Sequence, residues 1–293
     1  MHEEICKLLK PIFGQEVKVQ SSSQTEGGCI NQTHILHLTN GERVFLKHNS
    51  QPAPDFFVAE AKGLKLLSQV DKGPRIPKSL ALQDSPTPSF LILEYIEKSS
   101  PGYNFPVSFA QSLAELHRNT HHSFGLDHDN YIGSSPQKNT HDINGIHFFR
   151  DQRLRYQQEL ARASGKLPSG TDKKLTKLFE RIEDYLDITG EQPALMHGDL
   201  WSGNYFPDQD HIPCIFDPAV YYGLREADLA MTELFGRLPQ QFYDAYHEAF
   251  PLNPGYDERK DLYNLYHLLN HLNLFGSSYL GSVEQVIRKY IKS

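Results

Sequence analysis

The segment of residues 196–204, Met-His-Gly-Asp-Leu-Trp-Ser-Gly-Asn, restricts the possible folds of this chain more than any other feature of its sequence. It places a carboxylate, Asp199, five positions before a carboxamide, Asn204. A short apolar run at 213–216 follows and ends at a second carboxylate, Asp217. Such a run is typical of a short buried strand, which holds the next residue in a fixed position. The pattern therefore predicts a tight loop and a strand that present three polar side chains together.

The spacing of these three side chains suits ATP-dependent phosphoryl transfer. In protein kinases an Asp of the catalytic loop takes up the proton of the acceptor hydroxyl, an Asn five residues later binds magnesium, and an Asp on the next hairpin binds it too. Asp199, Asn204 and Asp217 fit these roles. The alternative is that they are ordinary loop residues, because Asp, Asn and Gly are common in turns. The complete constellation favours the catalytic interpretation.

The composition allows a folded chain of two lobes and argues against two classes of partner. With 293 residues and 39% apolar content, the chain can bury a substantial core. It has 29 Lys and Arg against 36 Asp and Glu, which argues against a broad basic surface for nucleic acid or anionic membranes. The start lacks a basic region followed by an apolar run, and no stretch approaches the ~18 apolar residues of a membrane span. We expect a cytoplasmic protein with no nucleic acid and no membrane partner.

Neither a disulfide framework nor a zinc site is indicated. The three cysteines are far apart and lack C-x-x-C spacing. His117 and His121 are four positions apart on a predicted helix, with His122 and His128 following, but no carboxylate or thiolate partner is evident. We expect these histidines to form a helix-end cluster that bonds backbone carbonyl groups.

The pattern of apolar residues predicts an antiparallel sheet followed by a helix-rich region. A helical pattern over 2–13 precedes the strands, and Asn40-Gly41 between two of them is a strong hairpin signal. The linker at 97–104 divides the chain into an N-terminal nucleotide-binding lobe, 1–97, and a C-terminal helical catalytic and substrate lobe, 98–293. The predicted strands are 16–23, 32–38, 43–48, 79–82 and 89–95, and the predicted helices are 55–70, 105–121, 146–164, 171–188, 224–236, 238–249 and 257–275, with 123–145 irregular.

The loop at 26–31, Glu-Gly-Gly-Cys-Ile-Asn, lies between the first two predicted strands. Gly27 and Gly28 would let backbone N–H groups approach phosphate oxygens without obstruction by side chains. The alternative is a simple hairpin turn, because the loop matches neither G-x-G-x-x-G nor a Walker A sequence.

Lys47 and Glu60 form a predicted ion pair. Lys47 closes the third strand, where a kinase-like fold keeps the lysine that contacts the nucleotide phosphates. Glu60 lies on the apolar stripe of helix 55–70, three residues after Phe57 and four before Leu64. A carboxylate buried there needs a partner, and Lys47 is the obvious one. The alternatives are a solvated lysine at a strand end and a glutamate that interacts with the helix dipole.

At these residues the chain resembles the fructosamine kinase (ketosamine 3-kinase) family, a branch of the aminoglycoside phosphotransferase-like group of the protein-kinase-like superfamily. The H-G-D-x-x-x-x-N core is shared with many small-molecule kinases, but Leu-Trp-Ser within it is more particular to this family. The resemblance covers nearly the whole chain and is carried by 27–30 Gly-Gly-Cys-Ile, 45–47 Phe-Leu-Lys, 60–64 Glu-Ala-Lys-Gly-Leu, 113–117 Leu-Ala-Glu-Leu-His, 129–133 Asp-Asn-Tyr-Ile-Gly, 197–204, 216–219 Phe-Asp-Pro-Ala, 222–223 Tyr-Gly and 225–231 Arg-Glu-Ala-Asp-Leu-Ala-Met.

The resemblance implies an α+β, two-lobed protein-kinase-like fold with an N-terminal antiparallel sheet, one key helix and a mostly helical C-terminal lobe. It implies ATP and Mg²⁺ as cofactors. The substrate would be a ketosamine, a fructosamine or ribulosamine adduct of an amine or a protein lysine, phosphorylated on its C3 hydroxyl. The 3-phosphate formed is unstable and departs, so such enzymes act in deglycation.

Matching positions imply roles for individual residues. His197 and Asp228 would brace the catalytic loop. Asp199 would be the catalytic base, and Asn204 and Asp217 would be the metal ligands. Lys47, with Glu60 as its ion-pair partner, would contact the nucleotide phosphates, which Gly27 and Gly28 would cover. The segment from Glu94 to Ile96 would be an interlobe hinge whose backbone contacts adenine.

Trp201 would stack on the sugar. The alternative is a core tryptophan, but an aromatic ring two residues after the base is well placed to pack against a sugar face.

Two rival functions stand beside this one. The first is another small-molecule kinase of the same fold, of the aminoglycoside or choline type, against which Trp201 argues. The second is a non-catalytic, kinase-like binding protein, against which the full set of polar site residues argues.

We expect a monomer or weak dimer. Some relatives carry a cysteine at the Cys29 position, which makes oxidation-dependent dimerisation there a hypothesis.

Overall fold

An antiparallel sheet of five strands forms the N-terminal part of the molecule, with strand order β1-β2-β3-β5-β4. The computed structural model describes residues 2–25, 31–84 and 88–291. The predicted strands and the first two helices are all present, within a few residues of the expected bounds. They are α1 (His2–Phe13), β1 (Val19–Gln24), β2 (Gln32–Leu38), β3 (Arg43–Asn49), α2 (Phe56–Leu67), β4 (Ser79–Gln83) and β5 (Ser89–Glu94).

Both faces of this sheet are covered, because alternate residues of each strand point to opposite sides. On one face, Leu46 and Ile92 pack with Ile5 of α1. On the other face, Leu91 belongs to a core that includes residues of α2 and of the C-terminal region. Lys47 lies directly opposite Leu91 in the β3–β5 register. The alternation of β3 therefore turns Lys47 toward the junction of the two parts of the molecule.

Helices dominate the C-terminal part, as the sequence predicts, but three features differ from expectation. The predicted helix 146–164 contains a π-helical segment, Phe149–Arg155, between two α-helices, and a helix not predicted, Leu280–Tyr290, follows the long helix near the C-terminus. The predicted helix 171–188 ends at Glu180 and is followed by a short 3₁₀ turn, Ile182–Asp184. The helices are α3 (Phe105–Arg118), α4 (Gly145–Phe148), α5 (Tyr156–Ala163), α6 (Ser169–Glu180), α7 (Glu226–Leu234), α8 (Gln240–Ala249), α9 (Tyr256–Phe275) and α10 (Leu280–Tyr290). Within the described ranges no helix is long and apolar enough to cross a membrane.

Three short two-stranded ladders support the loops of the C-terminal part. The stretch 123–145, predicted to be irregular, contains one of them. The other two flank the 197–204 segment on both sides, so its ends are held by backbone hydrogen bonds. The strands are β6 (Asn130–Ile132), β7 (Ser135–Gln137), β8 (Ala194–Met196), β9 (Tyr205–Pro207), β10 (Pro213–Ile215) and β11 (Tyr221–Gly223), paired β6–β7, β8–β11 and β9–β10.

Two contacts fix the sheet against the helical part. Arg75 donates to Glu94 at the end of β5 (2.7 Å) and to Asp208 after β9 (2.6 Å). On the other side, Leu64 of α2 is buried in the same core as Val220, which follows the 213–217 segment. The helix that carries Glu60 is thus packed between the sheet and the segment that carries Asp217.

Replacing Leu64 should test this packing. Leu64→Ala removes buried methyl groups from the core between the two parts, and we expect a loss of about 2–5 kcal/mol in the free energy of unfolding. Urea denaturation followed by circular dichroism measures the loss. Lys65→Ala, at an exposed neighbouring position of α2, is the control and should change stability by less than about 0.5 kcal/mol. Equal stability of the two variants would contradict the packing described here.

Candidate active site

A sharp turn at Gly198 starts the 197–204 loop immediately after β8. Gly198 has φ +83°, and a Cβ atom there would lie 2.0 Å from the backbone oxygen of Ala219. Only glycine combines this conformation with so close an approach of two backbone segments. The turn therefore directs Asp199 into the space between the loop and the segment that follows β10.

His197 connects the two segments that carry the carboxylates. Its Nδ1 accepts a hydrogen bond from the backbone N–H of Asp199 (3.2 Å), and its Nε2 donates to the backbone oxygen of Phe216 (2.9 Å). These two bonds require a neutral ring with its proton on Nε2. Burial lowers the pKa of His197, which keeps the ring in that neutral form.

Asp228 of α7 braces the start of the loop. Its carboxylate accepts hydrogen bonds from the backbone N–H groups of His197 (2.7 Å) and Gly198 (2.9 Å). His117 Nε2 donates to the same carboxylate (3.2 Å), and His117 Nδ1 lies 2.7 Å from the hydroxyl of Tyr246. Although burial opposes the charged form, these donors lower the pKa of Asp228. The contacts of His197 and Asp228 are therefore those expected of bracing residues.

The prediction that His117 bonds a backbone carbonyl group was wrong. His117 does not bond a backbone carbonyl at the helix end but lies fully buried against Asp228. His121, by contrast, lies 3.1 Å from the backbone oxygen of Ser123 through its Nδ1, which is the kind of contact expected. The difference arises because His117, in the last turn of α3, lies on its buried face, where Asp228 of α7 and Tyr246 of α8 reach it.

Lys47 pairs with both Glu60 and Asp217. Its Nζ lies 2.6 Å from an oxygen of each carboxylate, and its side chain is only 4% exposed. Asp217 holds this position with φ +56°, a left-handed conformation that Asp tolerates better than most residues. The predicted Lys47–Glu60 pair is present, and the solvated-lysine alternative does not apply.

Negative charge exceeds positive charge at this position. Burial disfavours the charged form of Lys47, but the carboxylates of Asp217 and Glu60 outweigh it and raise the pKa of Lys47. Burial raises the pKa of Glu60, and the charge of Asp217 adds to that effect. One ammonium group thus faces two carboxylates in a region of low solvent exposure, an arrangement that favours the binding of a further cation.

Asp199 and Asn204 are held together at the two ends of the loop. Asn204 Nδ2 donates to the backbone oxygen of Asp199 (2.9 Å) and approaches its carboxylate Oδ2 (3.3 Å). The Asp199 side chain is 21% exposed, so one side of it is open. Burial of the remainder, together with the charges of Asp217 and Asp228, raises the pKa of Asp199 to about 7.

Trp201 is exposed, and the core-tryptophan alternative does not apply. Its side chain is 37% exposed and lies over Gly203, where a Cβ atom would be 2.3 Å from the indole ring. A side chain at position 203 would therefore displace the ring from this position. Sequence reasoning did not single out Gly203, since its importance depends on where the indole lies.

The remaining predicted residues have different positions. Gly27 and Gly28, with Cys29, lie outside the described residues. Glu94 is the last residue of β5, where its carboxylate bonds Arg75, and Ile96 is buried just beyond it. Both lie at the connection between the sheet and the helical part, and their role as a hinge stays a prediction.

One residue near the site was not anticipated. His267 of α9 places its Nδ1 3.9 Å from Asp199 Oδ1. No motif marks it, because α9 is far from the loop in sequence and reads simply as a core helix.

Known proteins resemble this chain over its whole length. The family model for fructosamine kinase matches residues 1–293. A probable ketoamine kinase of Synechocystis sp. is 37% identical over 292 residues, covering 99% of this chain and 97% of that protein. A chloroplastic protein-ribulosamine 3-kinase of Arabidopsis thaliana is 37% identical over 282 residues, covering 95% of this chain and 85% of that protein.

Solved structures share the fold. A crystal structure from Thermobifida fusca assigned to fructosamine-3-kinase superposes with a TM-score of 0.87 at 29% identity, covering 100% of this chain and 99% of that one. An ADP-bound aminoglycoside phosphotransferase superposes with a TM-score of 0.61 at 14% identity, covering 99% and 98%. The α+β protein-kinase-like fold is therefore confirmed. Since the family model spans the chain and the relatives match nearly all of it, this chain belongs to the fructosamine kinase family.

Proposed function

We propose that this protein is an ATP-dependent ketosamine 3-kinase that transfers the terminal phosphoryl group of ATP to the C3 hydroxyl of a fructosamine or ribulosamine adduct. The observation that carries the proposal is the convergence of Asp199, Asn204 and Asp217 beside the Lys47–Glu60 pair. Membership of the fructosamine kinase family and the names of the relatives, ketoamine kinase and protein-ribulosamine 3-kinase, support the substrate class. Loss of the unstable 3-phosphate would give the protein a role in deglycation.

The nucleotide is proposed to lie between residues 1–97, the nucleotide-binding lobe, and residues 98–293, the catalytic and substrate lobe. Lys47 would contact its phosphates, and Glu60 would hold the lysine in place, because the two side chains already form a buried pair. Gly27 and Gly28 would cover the phosphates. The backbone of Glu94 to Ile96 would contact adenine at the connection of the two lobes.

Asn204 and Asp217 fit Mg²⁺ as ligands. Both offer oxygen atoms, which Mg²⁺ prefers, and the Asn204 amide nitrogen is already engaged with Asp199, which leaves its oxygen as the group to coordinate. Within the described ranges no group of three or more His, Cys, Asp or Glu side chains could hold a metal by itself. This agrees with Mg²⁺ bound by few protein ligands together with phosphate oxygens. When bound, the ion neutralises charge on the phosphates.

Asp199 is proposed to be the general base. The carboxylate of Asp199 is partly open and can accept the proton of the acceptor hydroxyl. The loop holds this carboxylate close enough to Asp217 for the charge of Asp217 to raise its pKa. A raised pKa near 7 suits a base that must take up a proton and release it at neutral pH. Trp201, exposed two residues later, would pack against the sugar ring.

A turnover assay tests the proposed function. The protein should phosphorylate fructosamine or ribulosamine compounds in the presence of ATP and Mg²⁺, and an aminoglycoside acceptor should be a poor substrate. Asp199→Asn should lower kcat by about 10²–10⁴-fold, because general-base catalysis contributes about that much. Asp210→Asn, at an exposed turn of the same lobe, is the control and should match the wild type. Near-normal turnover by Asp199→Asn would reject the role of Asp199, and turnover of aminoglycosides alone would reject the substrate class.

Gly203→Ala tests the role of Trp201. The added methyl group would meet the indole ring, so the ring must move. A stacking contact of about 0.5–1.5 kcal/mol corresponds to a rise of about two- to tenfold in KM for the ketosamine. The KM for ATP should not change. Gly170→Ala, where a Cβ meets nothing within 4 Å, is the matched control. A Gly203→Ala enzyme with wild-type KM for the sugar would show that sugar binding does not need the present position of the Trp201 ring.

A further inference from the structure

His267 is a buried polar side chain whose contact with the site has no role in the mechanism above. The residue is 3% exposed, and its Nδ1 is fully buried with no hydrogen-bond partner in the described part of the chain. The carboxylate oxygen Oδ1 of Asp199 lies 3.9 Å from that nitrogen. Buried polar atoms are almost always hydrogen-bonded, so an unpartnered one beside a proposed catalytic base requires an explanation.

The protonation state of His267 decides what its ring can do. Burial lowers the pKa of His267 to about 3, with smaller contributions from His271 and Arg153. The ring is therefore neutral at physiological pH and carries one N–H, on either Nδ1 or Nε2. The nearby group that Nδ1 faces is the carboxyl group of Asp199, which in its ionised form, the form of a base, can only accept. The tautomer with the proton on Nδ1 is the one that makes a favourable contact.

The position of His267 is fixed by its helix. Asn264, one turn earlier on α9, donates to the backbone oxygen of Ala230 in α7 (2.9 Å). A buried pair between Arg259 and Glu226 joins the same two helices. Because α7 also carries Asp228, which braces the catalytic loop, one rigid frame holds both the loop and His267.

Asp199 has room for this additional donor. Asn204 Nδ2 approaches one oxygen of its carboxylate, Oδ2, whereas His267 faces the other, Oδ1. Each carboxylate oxygen has two lone pairs, so donors on both oxygens leave lone pairs for the proton of the acceptor hydroxyl. The distance of 3.9 Å exceeds that of a hydrogen bond. Catalytic hydrogen bonds are often long without ligands and shorten in the complex with substrate.

We propose that His267 is a positioning residue for the general base, donating its Nδ1–H to Oδ1 of Asp199 when substrates are bound and so fixing the orientation of the carboxylate. His267 neither gains nor loses a proton, and the proton of the substrate hydroxyl goes to Asp199. The inference rests on the proposed function of Asp199, but it does not depend on which hydroxyl compound is the acceptor.

Two substitutions distinguish the effect of losing the N–H donor of His267 from the effect of changing the volume of its side chain. His267→Leu removes the donor, and we expect kcat to fall by about 10- to 100-fold, the value of one hydrogen bond to a charged group, with KM for ATP unchanged. His267→Asn keeps an N–H near the position of Nδ1 and should recover most of the lost kcat. Urea denaturation of both variants shows whether they remain folded. Equal losses in the two variants, or wild-type kcat in His267→Leu, would overturn the proposal.

The double variant tests whether His267 acts through Asp199. In the Asp199→Asn background, His267→Leu should lower kcat no further, because the base that it positions is gone. A full additional loss in the double variant would contradict the proposal. The ratio of the kcat of each variant to that of its parent is measured with any acceptor that the wild type phosphorylates, or with water as the acceptor in ATP hydrolysis. Failure of the ketosamine assay therefore rejects the substrate class and leaves this test intact.

An NMR measurement tests the tautomer without activity. In the ¹⁵N-histidine-labelled wild type at neutral pH, the His267 resonances, assigned by their absence from His267→Asn, should show a protonated Nδ1 and an unprotonated Nε2. A protonated Nε2 with an unprotonated Nδ1 would overturn the proposal.

Discussion

Lys47 holds together three parts of the protein that are distant in sequence, and the arrangement of the site depends on it. It lies on the face of β3 that is turned toward the helical lobe, contacts Glu60 from α2 and contacts Asp217 after β10. A lysine so deeply buried is stable only when carboxylates compensate for its lost hydration. Because Glu60 and Asp217 lie on opposite sides of the cleft, the two ion pairs of Lys47 also fix how the sheet and the helical lobe meet. Two carboxylates face this one ammonium group, and a bound metal ion would offset their excess negative charge.

The catalytic loop is held by a second set of contacts that does not include Lys47. His197 joins the backbone of Asp199 to that of Phe216, and Asp228 holds the turn at Gly198. Asp228 in turn belongs to the frame of α7 and α9. The backbone that carries Asp199 and Asp217 is therefore held by buried hydrogen bonds rather than by the exposed loop surface. Such support is what phosphoryl transfer needs, since its catalysis consists mostly of positioning and electrostatic stabilisation.

The sequence predicts those parts of the site that follow from local pattern and from charge. The spacing of Asp199, Asn204 and Asp217 gives three groups a common location, and a carboxylate on the apolar stripe of α2 calls for a buried partner. Contacts set only by tertiary packing leave no such pattern. His267 reads as one more residue of a core helix, and the partner of His117 was wrong because Asp228 reaches it from α7. Three-residue strands such as β6 and β7 are too short to show a period, which is why 123–145 looked irregular.

Lys47, Asn204 and Asp217 are proposed to converge on one nucleotide and its metal ion, with Asp199 facing the acceptor. A crystal structure with Mg²⁺ and a non-hydrolysable ATP analogue would show whether they do. We predict an ion bound by the side-chain oxygens of Asn204 and Asp217 and by phosphate oxygens, with Lys47 on the phosphates and the Asp199 carboxylate open toward the side where Trp201 lies. A nucleotide bound outside the cleft between the lobes, or an ion that contacts neither Asn204 nor Asp217, would contradict this arrangement of the site.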